Sequence, residues 1–149
     1  MATSSLQIEQ YYSGNPLWGG CWMRDQLKGK KPAGKFYILN VDESKNPGTH
    51  WVLAVFFLPM PLYMDPFGIS APPEIAEFMS KGRKDKQFEY SAEQYQDILS
   101  DKCALFCIEC ANELLEHRDA DMMDHEMTDV PSQHNEDLVG QVKLMEFRR

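Results

Sequence analysis

The chain has 149 residues, of which 43% are hydrophobic and 11% aromatic, a composition typical of a globular protein with a buried core. Its formal net charge of −8 gives the whole molecule no electrostatic attraction to nucleic acid or to anionic membranes, so we do not expect DNA binding. Two basic clusters, at positions 28–31 and 81–86, are interpreted as solvated loop side chains.

The cysteines and the apolar runs exclude several protein classes. The four cysteines, three of them within eight positions, do not have the pattern of a secreted disulfide scaffold. Cys107 and Cys110 lack the second cysteine pair that a zinc site needs. The polar N-terminus lacks a signal-peptide core, and the longest apolar run, 51–62, is too short to span a bilayer. We therefore expect a soluble protein of a reducing compartment, with no metal, no cofactor and no membrane partner.

The first half of the chain predicts one short helix and three strands. The helix covers 6–12, and the glycine-containing stretch 13–34 is interpreted as loops. The apolar run 35–41 predicts a buried strand, and 51–58 predicts a second one that ends before two prolines. A third strand follows at 62–65. Because the connection between the second and third strands is short, we expect them to run antiparallel.

The second half predicts two helices and a short strand. A helix starts at Pro72-Pro73, and the strand covers 88–90. Ser100 and Asp101 can cap a second helix over 103–117. Apolar residues on much of its circumference predict a core helix, namely Leu105, Phe106, Ile108, Ala111, Leu114 and Leu115. The predicted fold class is α+β, with one domain at 1–118 and an acidic C-terminal extension at 119–149.

Four polar residues, in the order His50, Asp65, Gln96 and Cys103, are the parts of a cysteine protease. Cys103 begins the predicted helix, where the dipole and unpaired N–H groups favour the thiolate that attacks carbonyl carbon. His50 begins one strand and Asp65 ends the next, so both are expected at the same sheet edge, where Asp65 can orient the imidazole. Gln96, seven positions before Cys103, can donate to an oxyanion, although Gln94 is an equally plausible amide on composition alone.

These motifs resemble the adenovirus maturation protease (adenain) family, including its relatives in Maverick/Polinton elements and virophages, and more distantly the SUMO-deconjugating proteases. The resemblance covers about residues 6–117 and is carried by His50-Trp51, Asp65-Pro66-Phe67-Gly68, Gln96 and Cys103-Ala104-Leu105-Phe106-Cys107, with Gly19-Gly20-Cys21-Trp22 upstream. The adenoviral enzyme has Glu at the position of Asp65, whereas other relatives have Asp. The family usually has Gly at the position of Ala104.

The resemblance implies a papain-like core, permuted so that the histidine comes first, with a mixed sheet and a buried helix that carries the cysteine. It assigns His50 as base, Asp65 as its orienter, Gln96 as oxyanion donor and Cys103 as nucleophile, and we add Trp51 and Gly48 as substrate-binding residues. It implies a thiol endopeptidase that cleaves capsid and other virion precursor proteins, inside the host cell and in the virion. An activating peptide is a further partner to consider.

The sequence is also compatible with two alternative functions. An isopeptidase for a ubiquitin-like modifier would need a narrow tunnel for a Gly-Gly tail, which Trp51 suits, but the short chain leaves little surface for docking a modifier. A catalytically silent binding module of the same fold is supported by Ala104, whose methyl group can crowd the substrate or the oxyanion site.

Overall fold

The computed structural model describes residues 3–45, 50–91 and 102–127, with side chains up to Asp119 in the last range. The fold is α+β, as predicted. The described residues form three α-helices, one 3₁₀ turn and five strands, in the order α1 (Ser5–Tyr12), β1 (Trp18–Met23), the 3₁₀ turn (Arg24–Leu27), β2 (Phe36–Asn40), β3 (Trp51–Val55), β4 (Leu62–Met64), α2 (Pro73–Ser80), β5 (Glu89–Ser91) and α3 (Cys103–Met127).

The five strands form one mixed sheet in the order β1-β2-β3-β4-β5. The β1–β2 and β4–β5 pairs are parallel, while β2, β3 and β4 run antiparallel. Every residue of the three central strands is buried, which explains why their sequences are apolar, except for Asn40 at the end of β2, rather than alternating. The antiparallel pairing predicted for β3 and β4 is confirmed, although β3 ends at Val55, three residues earlier than expected.

One face of the sheet packs against α2. The predicted apolar stripe of that helix is buried in a cluster with side chains from β2, β3 and β4 (Ile75, Phe78, Met79, Tyr37, Leu39, Val52, Ala54 and Tyr63). Pro73 at the first position of α2 supplies a preset backbone angle and needs no hydrogen bond there. This packing fixes the central strands, whose ends carry the candidate site.

The prediction of loops over 13–34 was wrong, because β1 and the 3₁₀ turn lie there. Two adjacent glycines lower the strand propensity of this segment. Its pairing with β2 is parallel, so the sequence contains no hairpin turn that would indicate a strand here. The Glu9 carboxylate ties α1 to the strand, since it accepts hydrogen bonds from the Cys21 N–H at 2.5 Å and from the Trp18 indole at 3.3 Å. Tertiary contacts therefore override local propensity at β1.

Gly19 occupies the irregular point of the β1–β2 register, directly against a ring in the core. A Cβ atom at Gly19 would collide with three carbons of the buried Tyr37 ring. We expect Gly19→Ala to lower the free energy of unfolding by about 1–3 kcal/mol, because an overpacked core must shift backbone or rotamers. Urea denaturation measures the change. Gly14→Ala is the matched control, since a Cβ there has no neighbour within 4 Å, and an equal loss in both variants would contradict the expectation.

Helix α3 begins at Cys103, as predicted, and its first i to i+4 hydrogen bond runs from Phe106 N–H to Lys102 C=O at 3.0 Å. It continues to Met127, ten residues past the predicted end. Of the apolar residues predicted to make this a core helix, Phe106, Ala111 and Leu114 are buried, whereas Leu105 is half exposed, so the prediction was wrong for that side of the helix. The buried residues in the described part of the helix are Cys103, Ala104, Phe106, Cys107, Cys110, Ala111 and Leu114. The predicted caps Ser100 and Asp101 lie outside the described residues.

The chain divides into two compact units, Met1–Cys107 and Ile108–Arg149. The first contains the sheet, α1, α2 and the first turn of α3, and the second contains the remainder of that helix. The boundary at 118/119 between a protease domain and an acidic extension stays a prediction. Over the described residues, no helix has both the length and the apolar character to cross a membrane.

Candidate functional site

His50 and Asp65 meet at one edge of the sheet. His50 directly precedes β3 and Asp65 directly follows β4, and the antiparallel register that pairs Leu53 with Met64 brings these two ends together. His50 Nε2 lies 2.6 Å from Asp65 Oδ1, and the two residues are only 7% and 1% exposed. The prediction that both lie at the same edge is therefore confirmed, and the distance is that of a short, charge-assisted hydrogen bond.

The turn Asp65-Pro66-Phe67-Gly68 holds this pair in place. Asp65 Oδ1 also accepts the main-chain N–H of Phe67 at 2.8 Å, and the Asp65 C=O accepts the N–H of Gly68 at 2.8 Å. Gly68 has φ of 73°, a backbone angle that glycine adopts without the strain a side chain would add. The Phe67 ring stacks on the His50 imidazole, with centroids 3.9 Å apart and an angle of 5°. Phe67 is thus a site residue that the sequence interpretation missed.

The other ring nitrogen of His50, Nδ1, is buried and has no partner at hydrogen-bond geometry among the described residues. Burial alone lowers the pKa of His50, but the hydrogen bond to Asp65 and the negative charges of Asp65 and Cys103 outweigh burial. The net result raises the pKa of His50 from 6.5 to about 9. At neutral pH the imidazole is therefore protonated, with Asp65 on one side and Cys103 close by.

Cys103 is the first residue of α3 and is 3% exposed. Its Sγ accepts a hydrogen bond from the Trp51 main-chain N–H at 3.4 Å. One turn later, Cys107 Sγ donates to the Trp51 C=O at 3.5 Å. The first turn of α3 is thereby attached to the start of β3, next to His50. None of the four cysteines, all within the described residues, is bridged in a disulfide.

The remaining predicted site residues are Trp51, Gln96 and Gly48. Trp51 is 6% exposed, and its indole Nε1 donates to the C=O of Thr3 at 3.2 Å, so its side chain is packed inside the protein. Its role in substrate binding stays a prediction. Gln96 and Gly48 lie outside the described residues, as does the alternative amide, Gln94. Within the part of the chain that is described, no group of three or more His, Cys, Asp or Glu side chains is arranged to hold a metal ion.

The His50 titration is expected to appear in the pH dependence of folding. Because the pKa of His50 is raised to about 9 from 6.5, its stabilising contribution is complete below about pH 6.5 and is lost as the pH rises through about 9. We expect an NMR titration midpoint for the His50 ring near pH 9. Cys103→Ala and Asp65→Asn should each lower this midpoint, because each removes a group that raises the pKa.

Cys21→Ala is the control for this titration, since Cys21 lies on β1 and is not among the causes of the His50 shift. It should leave the midpoint unchanged. A wild-type midpoint near 6.5 would show that Asp65 and Cys103 do not act on the imidazole as described.

Comparison with known proteins adds no family assignment: no protein-family model matches the chain, and a search of curated proteins finds no significantly similar sequence.

Proposed function

We propose that this protein is a cysteine endopeptidase in which Cys103 is the nucleophile, His50 the proton carrier, Asp65 the group that orients His50, and Gln96 an oxyanion donor. One observation carries the proposal: the buried imidazole of His50 lies 2.6 Å from Asp65 Oδ1, and the Cys103 sulfur accepts the main-chain N–H of the next residue, Trp51, at 3.4 Å. A histidine with a purely structural role has no need of a thiol and a carboxylate acting on it together.

The proposed reaction follows from this arrangement. The Cys103 thiolate attacks the carbonyl carbon of the scissile peptide, a C–S bond forms, and the negative charge moves to the carbonyl oxygen. The C–N bond then breaks while protonated His50 gives its proton to the leaving amine, which leaves a thioester. Neutral His50 next removes a proton from water, whose oxygen attacks the thioester. The C–S bond then breaks, the acid product leaves, and the Cys103 thiolate and protonated His50 are regenerated.

The proposed fold is the permuted papain-like core of the adenain family. The chain order supports it, since the histidine comes from the start of a strand, the carboxylate follows the next strand and the cysteine begins a later helix. The mixed five-strand sheet is compatible with this proposal but common to many α+β proteins. The sequence motifs therefore carry most of the family assignment.

The proposed substrates are capsid and other virion precursor proteins, cleaved inside the host cell and in the virion. This part of the proposal rests on the motif resemblance alone, as does an activating peptide. The net charge of −8 argues against activation by DNA.

A catalytically silent binding module is the second candidate, and the burial of Cys103 favours it. A cysteine that is 3% exposed is more often a small core residue than a nucleophile. Ala104, where the family usually has Gly, points to the same candidate, although its methyl group is itself buried in the protein. A thiol-reactive probe separates the two candidates, because a catalytic thiolate is labelled near neutral pH and a buried structural thiol is not.

The deciding experiment tests whether the purified protein cleaves capsid precursor proteins and locates the cleavage sites. Wild type and Cys103→Ala are incubated in parallel with capsid precursor proteins, and new N-termini are identified by mass spectrometry. Cleavage by the wild type alone supports the endopeptidase. Identical products from both samples, with Cys103 unlabelled by the thiol probe, support the silent module.

Gln96 provides a further prediction for the oxyanion site. Gln96→Ala should lower turnover by about 10²–10³-fold with little change in KM, because an oxyanion donor acts in the transition state rather than on the bound substrate. Steady-state kinetics measure both constants. Gln94→Ala is the matched control, two residues away, and if Gln94→Ala is the slower variant then the oxyanion donor has been assigned to the wrong amide.

A further inference from the structure

The main-chain N–H and C=O of Trp51 have an unusual set of partners for a residue in a central strand. The residues on either side of β3, His50 and Phe56, direct their main-chain polar groups toward β2. Val41 N–H donates to His50 C=O at 3.0 Å, and Phe56 N–H donates to Lys35 C=O at 2.7 Å. In an antiparallel strand this direction alternates from one residue to the next. The N–H and C=O of Trp51 are therefore directed toward the β4 side.

On that side the ladder is interrupted by a proline. The β3–β4 register pairs Leu53 with Met64, and its continuation brings Trp51 opposite Pro66. Proline has no N–H, so it cannot donate to the Trp51 C=O, and β4 ends at Met64. The buried N–H and C=O of Trp51 would both lack ladder partners, which is costly in a protein interior.

Two sulfur atoms of α3 take the place of the missing strand. Cys103 Sγ accepts the Trp51 N–H at 3.4 Å, and Cys107 Sγ donates its proton to the Trp51 C=O at 3.5 Å. The two cysteines are four residues apart, so they project from the same side of the helix toward the main chain of one residue. The Trp51 C=O is held by one sulfur, and the Trp51 N–H, which points to the same side of an antiparallel strand, is directed at the other.

We propose that the main-chain N–H of Trp51 is a built-in donor to the Cys103 thiolate, and that Cys107 is the positioning residue that keeps this donor directed at the sulfur. The inference rests on the proposed role of Cys103 as nucleophile. A hydrogen bond to an ionised acceptor is stronger than one to a neutral acceptor, so the Trp51 N–H favours the thiolate over the thiol. Cys107 acts by remaining protonated, because only the thiol can donate to the carbonyl.

Titratable groups other than Cys107 lie near the Cys103 sulfur, and a test of Cys107 must leave these other groups unchanged. They are His50, Asp65 and Tyr63. Burial raises the pKa of the Tyr63 hydroxyl beyond its usual range, and Asp65 and Cys107 raise it further. A variant that removes only the Cys107 proton donor leaves His50, Asp65 and Tyr63 in place.

The test measures alkylation of Cys103 by iodoacetamide across a pH series, with each cysteine resolved by peptide mass spectrometry. We expect Cys107→Ala to lower the Cys103 alkylation rate at about pH 6 by about threefold to tenfold, since the donor is no longer held in place. Cys107→Ser keeps a proton donor at the same position and should restore most of the rate. Equal rates in wild type and Cys107→Ala, or no rescue by Ser, would overturn the inference.

A second measurement does not depend on the Cys107 variants folding. Hydrogen exchange of the Trp51 amide should be at least about tenfold faster in Cys103→Ala than in wild type, because the acceptor has been removed. Cys21→Ala, on β1, should leave it unchanged, and an unchanged Trp51 amide in Cys103→Ala would also overturn the inference. Proteolysis enters neither measurement, so a chain that cleaves nothing but shows both effects would refute the proposed function and leave this inference standing.

Discussion

Cys103→Ala should abolish peptide cleavage, lowering turnover by about 10⁴-fold or more, while the fold remains intact. The side chain supplies the only atom that forms a bond to the substrate in the proposed reaction, so no neighbouring group can replace it. The structural cost is small, because the substitution removes one buried sulfur and one acceptor for the Trp51 N–H. We expect a loss of about 1–2 kcal/mol in the free energy of unfolding, measured by urea denaturation beside the kinetics.

Cys21→Ala is the matched control, because it removes a cysteine that is unsuited to nucleophilic attack. Burial, aided by the charge and hydrogen bond of Glu9, raises the pKa of Cys21 far above the usual range of a thiol, so almost no thiolate exists at neutral pH. Cleavage should be unchanged in this variant. If Cys103→Ala still cleaves, the nucleophile lies elsewhere, and Cys107 is the next sulfur to test.

The strands that the sequence predicted correctly are those whose local pattern and packing agree. Phe36–Asn40 and Trp51–Val55 are rich in aromatic and β-branched residues, and every position is buried, so propensity and burial favour the same structure. Trp18–Met23 was missed because its two glycines disfavour a strand, and its stability comes from parallel pairing with β2 and from Glu9 on another element. Such contacts are distant in sequence and leave no local pattern.

Within the candidate site, too, some features follow from the predicted strands and others depend on contacts that the sequence does not indicate. The meeting of His50 and Asp65 followed from topology alone, since two antiparallel strands joined by a short connection return to one edge. The stacking of Phe67 on His50 depends on the exact path of a four-residue turn, and the two sulfur contacts to Trp51 depend on the direction in which the N–H and C=O of that one residue point. Neither property is encoded in the hydrophobic pattern, although Pro66 was a visible sign that the β3–β4 ladder stops there.

His50→Ala should lower turnover by about 10⁴-fold, nearly as much as loss of the nucleophile, whereas substitutions of Asp65 should leave measurable activity. The histidine transfers protons directly in both halves of the proposed reaction, and the carboxylate only orients and charges it. Steady-state kinetics of the three variants His50→Ala, Asp65→Asn and Asp65→Ala give the order. Nearly wild-type rates in His50→Ala would show that the proposed catalytic residues are wrong.

The two Asp65 variants should differ, and the structure gives the direction. His50 Nε2 and the Phe67 N–H both bind the same oxygen, Oδ1, so an asparagine is held with its carbonyl oxygen in that position and its amide nitrogen turned away. Asp65→Asn therefore keeps the hydrogen on His50 Nε2 and loses only the negative charge, while Asp65→Ala loses both hydrogen bonds. We expect Asp65→Asn to be the more active variant, by about tenfold. The reverse order would mean that the asparagine amide turns toward the imidazole and fixes the unproductive tautomer. In that case NMR should show a lowered His50 titration midpoint in both variants, but a changed ring-nitrogen signature only in Asp65→Asn.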